Sequence, residues 1–162
     1  MSDRPKLNLT LKAFKEVYNT TVKDVPAVGT FIGGNVNHNI NNLTPAEGKF
    51  ENACAIRMSY ALNKAGSKVP FIRGKTVSGK NGNWYIYTVE TLKQHLIDTF
   101  GEADVSVTTP KPLDFKNKKG ILIFDVNWQD ATGHATIWDG VNCSDKCYFP
   151  KASKAYLWEL KD

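Results

Sequence analysis

Apolar residues recur along this chain with two different periods, and each change of period marks a new element. Near the N-terminus Leu7, Leu11, Phe14 and Val17 or Tyr18 recur at helical spacing, with Lys12, Lys15 and Glu16 on the other face. This predicts a first helix from about Leu9 to Tyr18, closed off by Val25-Pro26. Gly29 to Asn42 is rich in Gly and Asn and reads as a loop, which Asn41 to Gly48 extend with more turn formers. The next helix has clearer ends. Asn52 is a good N-cap and Gly66 a good C′ residue, and between them Ala53, Ile56, Tyr60 and Ala61 form an apolar stripe. Arg57, Ser59, Asn63 and Lys64 fall largely off that stripe, and Cys54 falls in the first turn.

The second half of the chain is mostly strand-like. Lys80-Asn81-Gly82-Asn83 has the chemistry of a tight turn and leads into a strand at Trp84 to Tyr87. Thr88 then caps a helix that runs through Phe100 to Gly101, with Leu92, Leu96 and Phe100 on one face. Val105 and Val107 suggest a short edge strand before the loop with Pro110 and Pro112. Gly120 to Val126 is an almost continuous apolar, β-branched run, expected as a central strand. Asn127 to Gly133 reads as a turn and His134 to Trp138 as the next strand, with Tyr148-Phe149 and Tyr156 to Trp158 as closing strands. Helices first and an antiparallel sheet after them indicate an α+β fold. With no repeat or linker, residues 1–162 are expected to form a single domain.

Composition adds limits. Hydrophobic residues make up 41% of the chain and charged residues 23%, ordinary for a globular protein. No stretch approaches the roughly 20 apolar residues of a membrane helix, so membrane insertion is not expected. The first ten residues lack the apolar run of a secretory signal, which implies synthesis in the cytoplasm and export, if any, by another route. The net charge of +5 favours anionic partners. The Lys and Arg are scattered, however, and no nucleic-acid signature appears, so a solvated basic surface is expected and nucleic acid is not a predicted partner.

The candidate chemistry rests on three cysteines and one histidine. Cys143 and Cys147 form a Cys-x₃-Cys pair, open to a local disulfide, half a metal site or two idle thiols. No second Cys/His pair has ligand spacing, so neither metal nor cofactor is expected. Cys54 stands alone at a predicted helix N-terminus, where the macrodipole favours negative charge, and its own N–H is a candidate donor to an oxyanion. A small buried core residue would occupy the same position equally well. His134 tips the balance. It opens a strand behind Gly133, which leaves room for a close approach to the imidazole. His95, mid-helix and expected to be solvated, and His38, in the Gly/Asn segment, are weaker candidates. A base needs a group that orients it. Asp145, between Cys143 and Cys147, leads. Asp139 is five residues past His134 and so on the opposite strand face, and Asp125 and Asn127 are outside choices.

Four blocks together resemble a known family: Gly33-Gly34-Asn35-Val36, Asn52 to Tyr60 around Cys54, Gly133-His134-Ala135-Thr136-Ile137-Trp138, and Cys143 to Pro150. They are similar to the fourth family of type VI secretion amidase effectors, papain-like peptidoglycan hydrolases related to bacterial cell-wall cysteine peptidases. The resemblance spans about Phe14 to Leu160. It implies a papain-like fold with N-terminal helices packed on an antiparallel sheet. It implies Cys54 as nucleophile, His134 as base, Asp145 as orienting acid and a Cys143–Cys147 disulfide. It also implies cleavage between D-glutamate and meso-diaminopimelate in peptidoglycan stem peptides, in the periplasm of a rival cell, with a cognate immunity protein protecting the producer. Asn41 to Lys49 looks longer than the family pattern and bears on substrate preference.

On this reading Cys54 attacks the D-glutamate carbonyl and His134 moves the proton from thiol to leaving amine. Arg57 and the Gly33-Gly34-Asn35 loop are candidates to meet substrate carboxylates. A structural ion pair and a tight turn are their plainer roles. Trp138 is a candidate cleft wall, although a strand Trp is more often core. The alternatives are a cysteine peptidase for another cell-wall amide, a non-enzymatic module binding an anionic polymer, and a thiol redox protein using Cys143 and Cys147.

Overall fold

The computed structural model describes residues 3–126 and 133–162. The predicted turn at 127–133, with the candidate Asn127, therefore lies almost wholly outside the described residues. Among them no helix is long and apolar enough to cross a membrane.

The helical half begins with α1 (Leu7–Glu16), two residues earlier than its apolar pattern suggests. The next segment departs from the sequence reading. Instead of a loop, α2 (Val25–Ile32), α3 (Gly34–Asn37) and one wider helical turn (His38–Asn42) follow each other closely. Asp24 starts α2 by accepting the N–H of Ala27, and Pro26 fits the first turn, where its missing N–H costs nothing. Val28, Ile32, Val36 and Ile40, four residues apart, are all buried against Ile56 and Tyr85. Gly and Asn between them masked this stripe. Gly33 (φ +73°) and Gly34 (φ +61°) turn the chain between α2 and α3. A Cβ on Gly34 would lie 2.5 Å from the Gly79 carbonyl carbon.

The central helix is α4 (Cys54–Lys64). It is followed by a hairpin of β1 (Thr76–Ser78) and β2 (Trp84–Ile86), then by α5 (Val89–Phe100). The Thr88 hydroxyl accepts the N–H of Thr91 and Gly101 closes α5, as the sequence indicated. Four strands, β3 (Val105–Thr108), β4 (Gly120–Val126), β5 (Gly133–Trp138) and β6 (Ala152–Glu159), make an antiparallel sheet in the order β3-β6-β4-β5. Tyr148 and Phe149 are not a strand: Phe149–Lys151 form a short 3₁₀ turn that Pro150 favours.

The apolar run of β4 is continuous because the sheet is covered on both faces. On one face Ile121, Ile123, Ala135 and Ile137 pack with Phe14, Met58, Leu62 and Leu96 from the helices. On the other, Leu122, Phe124 and Trp138 pack with Phe115 and Phe149 from connecting segments. Helices on an antiparallel sheet are thus the α+β arrangement expected.

Candidate active site

The direction of Cys54 is set by how α4 is held. Its first helical bond runs from the Arg57 N–H to the Ala53 carbonyl at 2.8 Å, so Ala53 occupies the cap position by backbone geometry. Asn52, expected as the cap, stands one residue earlier and caps through its side chain. Its Oδ1 accepts the Cys54 N–H at 3.0 Å. This is an Asx turn, in which an Asn side chain binds the backbone two residues on. The rest of α4 is more buried than an amphipathic pattern implies. The buried polar side chains on it each have a backbone partner. Ser59 accepts the Ile86 N–H at 2.9 Å and donates to the Ala55 carbonyl. Asn63 bonds the Trp84 carbonyl and the Val69 N–H. Cys54 itself is 2% exposed.

Arg57 lies one turn beyond Cys54 and is buried. Its Nε donates to the Val17 carbonyl at 2.9 Å and its Nη2 to the Lys23 carbonyl at 2.6 Å, tying α4 to the segment between α1 and α2. The guanidinium also lies over the Tyr18 ring. Burial lowers its proton affinity, and the charges of Asp145 and Cys54 oppose that shift.

His134 is the second residue of edge strand β5, paired with Phe124 of β4. What needs the glycine before it is not the imidazole: a Cβ on Gly133 would lie 2.5 Å from the Phe124 carbonyl oxygen. His134 Nε2 lies 3.1 Å from Asp145 Oδ1 and 3.0 Å from Oδ2. Asp145 reaches it because the chain doubles back after β5. The Ser144 N–H and hydroxyl both donate to the Ile137 carbonyl, and the Cys143–Cys147 disulfide brackets the aspartate. Burial alone would push His134 down, but hydrogen bonds and charge from Asp145 and Cys54 outweigh it and raise the imidazole to about 9. Burial likewise tends to raise Asp145, and its bond to His134 overrides this and lowers the carboxyl.

Cys54, Arg57, His134 and Asp145 line one cleft of about 670 Å³. A second, of about 1210 Å³, opens toward α5 and also includes Cys54. The remaining sequence candidates lie elsewhere. Gly33 and Gly34 pack against Lys80 and Gly79, and Asn35 donates to Ser78. Trp138 lies four residues beyond His134 on the same face of β5 but is buried in the core there, its Nε1 donating to the Phe115 carbonyl. Asp139 accepts the N–H groups of Val141 and Asn142, and Asp125 pairs with Lys93 and Tyr156. His38 is exposed. His95 is buried rather than solvated, with Nδ1 3.3 Å from the Thr99 hydroxyl. Among the cleft residues that the sequence reading did not nominate is Tyr148, whose ring meets the His134 imidazole edge-on at 4.7 Å. Its place two residues before Pro150, which turns the chain there, was the available signal.

Residues 50–158 match the profile of the family described as type VI secretion system (T6SS), amidase effector protein 4. The chain is also similar to solved structures. The crystal structure of the type VI effector Tae4 from Enterobacter cloacae is 40% identical, with a TM-score of 0.86 over 99% of this chain and 100% of that one. Tae4 from Salmonella typhimurium, in complex with the immunity Tai4 from Enterobacter cloacae, is 38% identical, with a TM-score of 0.85 over 97% and 99%. The Enterobacter cloacae Tae4–Tai4 effector-immunity complex is 39% identical, with a TM-score of 0.86 over 98% and 99%. No curated protein sequence matches the chain.

Proposed function

The chain belongs to the type VI secretion amidase effector 4 family, antibacterial amidases, and from that premise we propose that it cleaves peptidoglycan stem peptides between D-glutamate and meso-diaminopimelate by Cys54–His134–Asp145 catalysis. The observation that carries the reading is His134 held by both oxygens of Asp145 in the same cleft as Cys54. Asp145 takes Nε2, which leaves Nδ1 for Cys54. The Asp145 carboxylate fixes the ring and stabilises its charged form. With its affinity raised to about 9, His134 carries a proton at neutral pH and is ready to give it to the departing amine.

The steps are those of acyl transfer. Cys54 sulfur attacks the D-glutamate carbonyl carbon, its proton having passed to His134. The tetrahedral intermediate collapses to a thioester as the C–N bond breaks and diaminopimelate leaves with the His134 proton. Water, deprotonated by His134, then attacks the thioester and frees Cys54. Residues 1–162 act as one catalytic domain, and neither metal nor cofactor enters the scheme. Arg57 contributes positive potential while it holds the chain at Val17 and Lys23. Gly33, Gly34, Asn35 and Trp138 support the scaffold around the cleft rather than the substrate.

The likeness to effectors crystallised with Tai4 supports a cognate immunity protein as partner here, and family membership supports delivery by the type VI machinery into a rival's periplasm. The test is a digest of purified Gram-negative peptidoglycan, with fragments identified by mass spectrometry. Wild type should release fragments ending in D-glutamate and Cys54→Ala should release none. Intact wall in the presence of folded wild type would refute the reading.

A further inference from the structure

A thiolate attack on an amide pushes the carbonyl electron pair onto oxygen, and that oxygen needs a donor already in place. The obvious donor is the Cys54 N–H, but it is occupied: Asn52 Oδ1 accepts it at 3.0 Å. The other end of the same planar carboxamide is not occupied. Asn52 Nδ2 makes no hydrogen bond among the described residues, and Asn52 is only half-buried. The two ends of an amide are rigidly fixed to each other, so the oxygen that grips the Cys54 backbone also sets where Nδ2 points. Asn52 and Cys54 are, besides, the two residues that line both clefts. A substrate that occupied both clefts would therefore lie beside Asn52 and Cys54.

We propose that Asn52 is a catalytic residue whose Nδ2–H donates to the oxyanion, while its Oδ1 keeps the Cys54 N–H in place. As the Cys54 sulfur–carbon bond forms, the carbonyl pair moves to oxygen and is met by Nδ2. As the pair returns, the carbon–nitrogen bond breaks and the amine leaves with the His134 proton. This role rests on Cys54 being the nucleophile.

Asn52→Asp tests it. Asp retains the acceptor for the Cys54 N–H, being as good a cap as Asn, and loses the donor. Three quantities are read on wild type, Asn52→Asp and Asn52→Ala: Tm, kcat and KM on isolated stem-peptide fragments, and the rate at which iodoacetamide alkylates Cys54. Alkylation needs the nucleophilic sulfur but forms no oxyanion, so it isolates any effect of the new charge on the thiol. For Asn52→Asp the expected result is a kcat lower by about 10²–10³-fold, with little change in KM or Tm. Alkylation should fall far less than kcat. Asn52→Ala should lose kcat to a similar degree and Tm as well. An Asn52→Asp loss no greater in kcat than in alkylation would reduce Asn52 to a cap and overturn the proposal, as would Asn52→Ala with wild-type kcat. Wild type inert on the same fragments would instead overturn the Cys54 reading beneath it, a result distinguished by the silence of the wild type itself.

Discussion

Asp145 meets His134 through both carboxylate oxygens, at 3.1 and 3.0 Å, from a loop that the chain reaches only by folding back along β5. The ring is thereby held in one orientation and its proton is retained.

Asp145→Asn keeps the shape of the side chain but takes away its charge. Its kcat on stem-peptide fragments should fall on the order of 10²–10⁴-fold, because the imidazole loses both its tautomer control and the stabilisation of its charged form. Circular dichroism should show the fold retained. Near-wild-type turnover would remove Asp145 from the mechanism.

The same pair predicts how stability varies with pH. Folding raises His134 from 6.5 to about 9, so its contribution is complete below pH 6.5 and is lost as pH rises through about 9. Folding lowers Asp145, so its contribution is present above the ordinary carboxylate range and is lost as pH falls through the folded value. Urea midpoints should therefore decline from pH 6.5 to pH 9.5 by an amount on the order of 2–3 kcal/mol in unfolding free energy. In Asp145→Asn the alkaline decline should shrink. An equal decline in both proteins would contradict the assignment.

The disulfide closes a loop of only five residues, Cys143 to Cys147. Its loss, by Cys143→Ser with Cys147→Ser, should cost roughly 2 kcal/mol on a loop-entropy basis. Activity should suffer more than stability, because Asp145 lies inside the loop. Paired measurements of Tm and kcat, the double variant against wild type, would reveal this. A proportionate fall in both would mean that the bridge serves the fold alone.

Arg57→Lys should destabilise the protein by about 2–4 kcal/mol, because one ammonium cannot span the carbonyls of Val17 and Lys23 as the guanidinium fork does. Denaturant midpoints give the answer. A stable variant with a raised KM would instead make Arg57 a substrate contact.

Particular elements show what the sequence made legible. Helix α5 was readable because its signals are local: Thr88 caps it, Gly101 ends it, and Leu92, Leu96 and Phe100 share a face. The 25–42 segment was not, because Gly and Asn between its buried apolar residues looked like a loop, and the stripe shows itself in its packing against Ile56 and Tyr85. The same holds at the site. Cys54, His134 and Asp145 could be nominated by residue type and neighbourhood, and the structure brings them to one cleft. The burial of Arg57 and the approach of Tyr148 depend on contacts between distant segments, which no local pattern encodes.

Helix α4 works like a keyed shaft. Arg57, Ser59 and Asn63 each fit a fixed backbone slot, at Val17 and Lys23, at Ile86, and at Trp84 and Val69. Turning the helix by one residue would withdraw all three keys and strand buried polar groups at about 1–3 kcal/mol each. The aim of the Cys54 thiol is thus set by residues up to nine positions away, and changes at Ser59 or Asn63 should blunt the nucleophile without touching the cleft.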